Sequence, residues 1–245
     1  MIETSTERSS NLPSEAFSRR LRWLELALVL AVAFALPVLS SLYLLFSKQH
    51  RSTDFSDLRV LAGLITEATT LCVLFYVLFR QGRNAAAIGL TWNPRALAQN
   101  LMWAFVLTYA ARYAAGFTRL AMAEIYPLIT GRALDFQIQK LPVLFVTLPT
   151  FLFVILNGWF EELIVRAFAM TEVQALTKSP ALAILFSVAL QTSYHFYQGA
   201  PIALSYAPLF LVFALFYSRT RNIVPVALAH IAIDMMSLFY ASEHH

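Results

Sequence analysis

Of the 245 residues, 59% are hydrophobic and 13% charged, and the mean hydropathy is +0.63, a balance that excludes an ordinary soluble domain. The net charge of +4 and the pI near 9.3 come from Lys and Arg scattered through the polar segments, with no basic stripe for nucleic acid. Cys72 is the only cysteine, which excludes an internal disulfide and a cysteine pair on a metal; its place in an apolar run reads as a small buried hydrophobe.

Residues 1–20 are rich in Ser, Thr, Glu and Arg without apolar periodicity and read as a disordered cytoplasmic tail. Beyond them, apolar runs at 23–46, 60–80, 97–118, 141–160, 181–197, 202–218 and 223–241 approach or exceed the roughly 20 residues a helix needs to cross a bilayer. The chain therefore reads as all-α, a polytopic transmembrane helical bundle of about seven helices, with six and eight as the neighbouring counts. The apolar stretch after Arg166 either extends the fourth helix or forms a short one of its own. The first run is too long for the apolar part of a secretion signal and lacks a small-residue cleavage site, so it is expected to stay as an anchor. Lys and Arg in the intervening segments number ten on the amino-terminal side against six on the other, which points to a multi-pass cell-membrane protein with its amino terminus in the cytoplasm.

Between the second and third runs, Arg80 to Arg95 with Gly82, Gly89 and Pro94 reads as a polar connector, and Trp92 suits the membrane interface. Arg119 to Lys140, with Glu124, Pro127, Gly131 and Asp135, is too polar for a span and reads as a loop. Glu25, Glu67 and Arg112 each stand alone in their runs and read as partners between helices or as interfacial residues. The chain so divides into 21–140, helices and loops, and 141–241, where polar motifs concentrate. In this second part Ser179 and Pro180 suit the cap and first turn of a helix, and Gly199 and Pro201 break the chain after His195-Phe196-Tyr197-Gln198. The lack of an internal repeat counts against a transporter built on duplicated halves.

The chemistry concentrates where Asn157-Gly158-Trp159-Phe160 leads into Glu161-Glu162, with Arg166 one helical turn further on. Ionisable side chains in a transmembrane helix persist where they face one another, a cavity or a substrate. Glu162 and Arg166, four residues apart, share a face and read first as a buried ion pair that fixes helix packing. Glu161 points about 100° away, beyond easy neutralisation by Arg166, and is left free to take a proton from water. Of five histidines, His50 falls in a loop and His244 and His245 end the chain, so only His195 and His230 lie in membrane runs. Either one alone would read as a packing residue bonded to a carbonyl. Together with Glu161 and with Asp234, which shares a helix face with His230, they read as a functional cluster.

Glu161-Glu162-x-x-x-Arg166 resembles the first motif of the CPBP family of intramembrane proteases, which includes the type II CAAX prenyl endopeptidases and Abi-related bacterial proteins associated with bacteriocin processing or immunity. His195 with the following Phe-Tyr-Gln-Gly is similar to the second motif. His230-x-x-x-Asp234, preceded by Arg219-Thr-Arg-Asn-Ile-Val-Pro, is similar to the third, and the order agrees over roughly 141–241. Two positions depart from the family. Gln191 stands where Phe is usual, four residues before the histidine, and Asp234 stands where relatives often carry Asn. An ionised Asp cannot donate a hydrogen bond to a developing oxyanion, so Asp234 is either protonated or has another role.

The resemblance implies an intramembrane endopeptidase that hydrolyses a peptide bond in a membrane-anchored protein or peptide within the lipid bilayer. On that likeness Glu161 with His195 activates a water, His230 and Asp234 stabilise or orient the tetrahedral intermediate, and Glu162 and Arg166 hold their helix in place. The family implies a metal-free glutamate route with no cofactor. The alternative is zinc at Glu161, His195 and His230, since two imidazoles and a carboxylate leave a position open for water. A non-catalytic binding or immunity protein on the same scaffold, and a transporter with a buried proton relay, are the competing functions. The sequence contains no His-Glu-x-x-His, Gly-x-Ser or Gly-x-Gly-Asp and no phosphate loop. Upright helices pose one difficulty: measured from Lys178, His195 lies about 25 Å up its helix, whereas His230 lies only about 10 Å above the Arg219 to Arg221 turn.

Overall fold

The computed structural model describes residues 15–47, 57–91, 93–134, 136 and 147–243. Seven long helices and no strand lie within them: α1 Glu15–Ser47, α2 Asp57–Arg80, α3 Leu97–Thr130, α4 Leu148–Thr177, α5 Pro180–Tyr194, α6 Ala200–Thr220 and α7 Val224–Glu243. The expected all-α bundle and its helix count hold. Ser18–Ser47 of α1, and all of α2, α4 and α6, are long and apolar enough to cross a membrane; α5 and Val224–Tyr240 of α7 are apolar but shorter. Polarity is sorted the wrong way round for water. Leu128 is 85% exposed and Phe79 80%, while Arg166 is fully buried. Such a distribution fits lipid outside and a polar interior, so the chain is a membrane protein.

Local chemistry sets the helix ends. Thr147 caps α4 by accepting from the Thr150 amide, and Ser179 caps α5 by accepting from Leu182, with Pro180 in the first turn as expected. Gly199, at φ 98°, separates α5 from α6 after the short 3-10 turn Phe196–Gln198. The apolar stretch after Arg166 extends α4, which runs unbroken from Leu148 to Thr177.

α4 is the central helix and packs on α1, α2, α5, α6 and α7, while α3 lies outside against α6 and α7. The packing of α2 on α4 keeps one register throughout. Asp57 meets Thr147, Gly63 lies so close under the Phe153 ring that a Cβ there would sit 2.7 Å from it, and Glu67 meets Asn157. A constant offset of ninety residues means that the two helices run parallel. At the end of α4, buried Glu172 pairs with Arg22 of α1 and Arg83 of the connector, and Glu25 pairs with Arg80 and Gln81. These ion pairs fasten α1 and α2 to the central helix.

The residues after α2 form a connector that is not a plain surface loop. It carries the 3-10 turns Ala85–Ile88 and Pro94–Ala96, and Ile88 is fully buried. The Tyr217 hydroxyl lies 3.1 Å from the carbonyls of both Ile88 and Ala167, and the Ile223 amide donates to the Gly89 carbonyl. The turn between α6 and α7 is thereby held near the level of Ala167, ten residues or about 15 Å inward of Thr177. That recess removes the difficulty posed by upright helices: α7 starts deep, and its His230 reaches the level of Glu162.

The backbone at Gly89 leaves no room for a side chain. Its φ is +80°, and a Cβ would lie 2.2 Å from the Arg221 carbonyl oxygen, a backbone atom with nowhere to go. Gly89→Ala should lower stability by more than about 2 kcal/mol in chemical unfolding of the purified protein. Gly82→Ala, at φ +67° with nothing within 4 Å, should cost only the left-handed backbone penalty of about 1 kcal/mol.

Several sequence expectations are corrected. Residues 15–20, counted with the tail, are the first turns of α1. The loop expected from Arg119 is helical through Thr130, with Pro127 inside its last turn, and Gly131 closes the helix at φ 67° by donating its amide to the Pro127 carbonyl. Cys72 is exposed, not buried, because it lies about 200° around α2 from Leu74, off the stripe that packs inward. Residues 1–14, His50, Trp92, Asp135, Lys140, His244 and His245 lie outside the described residues.

Candidate active site

The site grows out of the middle of α4. From Glu162 to Met170 the helix widens to π geometry, the kind of local distortion that recurs at functional sites. Every residue from Phe160 to Val173 is buried; Glu162 and Arg166 are enclosed by protein on all sides, while Glu161 keeps 8% of its surface exposed.

Arg166 and Glu162, both fully buried, form the expected ion pair, Nη1 donating to Oε1 at 2.9 Å. The rest of the guanidinium is held by aromatic faces, with Phe210 at 5.6 Å and Phe213 at 5.8 Å. Glu162 does more than pair with Arg166. The same Oε1 accepts from Nδ1 of His230 at 2.7 Å, which fixes the ring and turns its other nitrogen away. His230 Nε2 then faces the gap between Asp234 Oδ2, at 3.6 Å, and Glu161 Oε2, at 4.0 Å.

Glu161 is held from α5. Its Oε2 accepts from Gln191 Nε2 at 2.7 Å and from the Tyr194 hydroxyl at 2.6 Å. Among the described residues Oε1 has no hydrogen-bond partner and is not sealed in, which leaves it as the oxygen available to a reactant. His195, one residue past Tyr194, directs Nδ1 at the Gln191 carbonyl at 2.8 Å; a carbonyl only accepts, so Nδ1 carries the proton and Nε2 keeps its lone pair. Its ring sits among Tyr194, Tyr197, Tyr206 and Phe210 and within electrostatic range of Glu161.

The four groups singled out in the sequence thus meet: Glu161, His230 and Asp234 within a few ångströms, and His195 joined to Glu161 through Gln191. Two further contributors escaped the sequence reading as site residues. Gln191, met only as a departure from the family, and Tyr194 both bind the carboxylate of Glu161. With His195 they occupy positions i, i+3 and i+4 of an apolar helix, and that polar stripe was the available signal. As for metals, these hydrogen bonds leave Glu161 Oε1, His195 Nε2 and His230 Nε2 as the free ligating atoms, and among the described residues no group of three His, Cys, Asp or Glu has metal-binding spacing.

An all-α membrane bundle enclosing a Glu, His and Asp cluster is the class that fold and site define. Residues 143–236, which contain every residue of the cluster, match the family model for type II CAAX prenyl endopeptidase Rce1-like proteins over somewhat less than half of the chain. The resemblance read from the three motifs is upheld, and the match points to a hydrolase of peptide bonds. No curated protein and no solved structure matches the chain.

Proposed function

We propose that the protein is an intramembrane endopeptidase that hydrolyses a peptide bond in a membrane-anchored protein or peptide by a water activated between Glu161 and His195. The observation that carries this reading is the state of Glu161: one oxygen pinned by Gln191 and Tyr194, the other open, beside two oriented imidazoles inside a helical bundle. Glu161 takes a proton from water as its oxygen attacks the scissile carbonyl carbon, and the proton then passes to the leaving amine as the C–N bond breaks. His230, steadied at Nδ1 by Glu162, presents Nε2 to the tetrahedral intermediate. Asp234 acts here by orienting that nitrogen and need not donate a hydrogen bond itself. Residues 141–241 form the catalytic core and 21–140 its helical surround, in the cell membrane with the amino terminus cytoplasmic.

Purified protein offered a library of membrane-anchored peptides should cleave a subset of them; a library left wholly intact would count against proteolysis. The route is metal-free, with no cofactor. Turnover should therefore survive EDTA and 1,10-phenanthroline, and loss of activity restored by added zinc would replace this mechanism with a metal-bound one. The Gln191 and Asp234 departures favour one second reading, a binding protein that keeps the scaffold without turnover. It predicts that Glu161→Gln retains the full biological effect in cells.

A further inference from the structure

Glu67 is the ionisable residue of α2 that faces inward, and it lies outside the Rce1-like segment. It is 7% exposed, and its Oε1 accepts from Asn157 Nδ2 at 2.9 Å. Asn157 stands one turn before Glu161 on the same face of α4. Oε2 of Glu67 is buried with no hydrogen-bond partner among the described residues, although Glu67 is within electrostatic range of both Glu161 and Asp234. A carboxyl oxygen enclosed in a membrane interior without a donor is costly, so a structural role alone accounts for only half of this side chain.

A peptide that enters such a site in extended form brings the missing group. Away from water, each of its backbone N–H groups needs an acceptor, and a helix-bound substrate must give up its own hydrogen bonds to expose a scissile bond. We propose that Glu67 Oε2 is the acceptor for a backbone N–H of the bound peptide close to the scissile bond, making α2 a wall of the substrate cleft. This rests on the endopeptidase reading of the Glu161 site. Asn157 occupies Oε1 and fixes the side chain so that Oε2 is the oxygen left over, and the constant register of α2 on α4 keeps Glu67 level with the catalytic turn. Glu67 is thus a substrate-binding residue contributed by the half of the chain that shows no family motif.

Glu67→Gln tests this with little change of shape, because the amide oxygen still accepts from Asn157 while its NH2 replaces the acceptor by a donor. The probe is the best-binding peptide of the membrane-anchored library, with its affinity measured on protein carrying Glu161→Gln so that no turnover intervenes. Adding Glu67→Gln should weaken binding at least tenfold, and in the active protein it should raise KM with kcat nearly unchanged. Peptides N-methylated at one backbone amide at a time supply the second arm. A single position near the scissile bond should lose affinity for the Glu67 protein and lose no more when Glu67→Gln is present. Equal affinity with and without Glu67→Gln, or losses that simply add, would overturn the proposal while leaving proteolysis untouched. Peptides that bind in a Glu67-dependent way and are never cleaved would leave Glu67 its role and sink the endopeptidase reading, and a library in which nothing binds would sink both.

Discussion

Glu161→Gln should lower peptide cleavage by about a thousandfold, the scale expected for losing a general base, and should leave the helices folded. The amide keeps the volume, and its oxygen still accepts from Gln191 and Tyr194, so the contacts that hold this side chain survive. What disappears is the capacity to take a proton from water. Circular dichroism and thermal unfolding of the variant should match those of the parent, and a cleavage assay on the library peptides reads the chemistry. Activity within tenfold of the parent would remove Glu161 from the catalytic role.

The largest stability effect is expected at Glu162. Glu162→Gln keeps the shape but strands the fully buried Arg166 without its counter-charge, and should cost about 3–5 kcal/mol in unfolding measurements. Replacing both partners, as Glu162→Gln with Arg166→Met, should recover much of that loss, because the penalty belongs to the unpaired charge and not to the missing pair. Activity should not return with stability. In the double variant His230 Nδ1 donates to a neutral amide oxygen in place of a carboxylate, a weaker partner that no longer raises the basicity of the ring, so cleavage should remain well below that of the parent even where the fold is restored. A double variant no more stable than Glu162→Gln alone would show that Arg166 matters for packing on Phe210 and Phe213 more than for charge.

The membrane bundle was legible in the sequence because a bilayer demands long apolar runs, a signal averaged over some 20 residues and insensitive to detail. The cluster was legible for a related reason: Glu161, Glu162, Arg166, His195, His230 and Asp234 are conspicuous where charge is expensive. Their partners were not. Glu162 looked like a partner for Arg166 alone, and only packing of α7 on α4 brought His230 Nδ1 to the same oxygen. Tyr194 is unremarkable in an apolar helix, and the π segment carries no Gly or Pro to announce it.

What the sequence determined by itself was class: helices, a membrane, and a short inventory of ionisable groups too costly to bury without purpose. Tertiary structure decided their use. The depth at which α7 begins, the ninety-residue register of α2 on α4, and the carboxylate oxygen of Glu161 left open all depend on contacts between residues far apart in the chain. Hydropathy is local and additive, so it can be read along the chain. Hydrogen-bond geometry depends on helix offsets of a few ångströms, which are set only when the helices pack together.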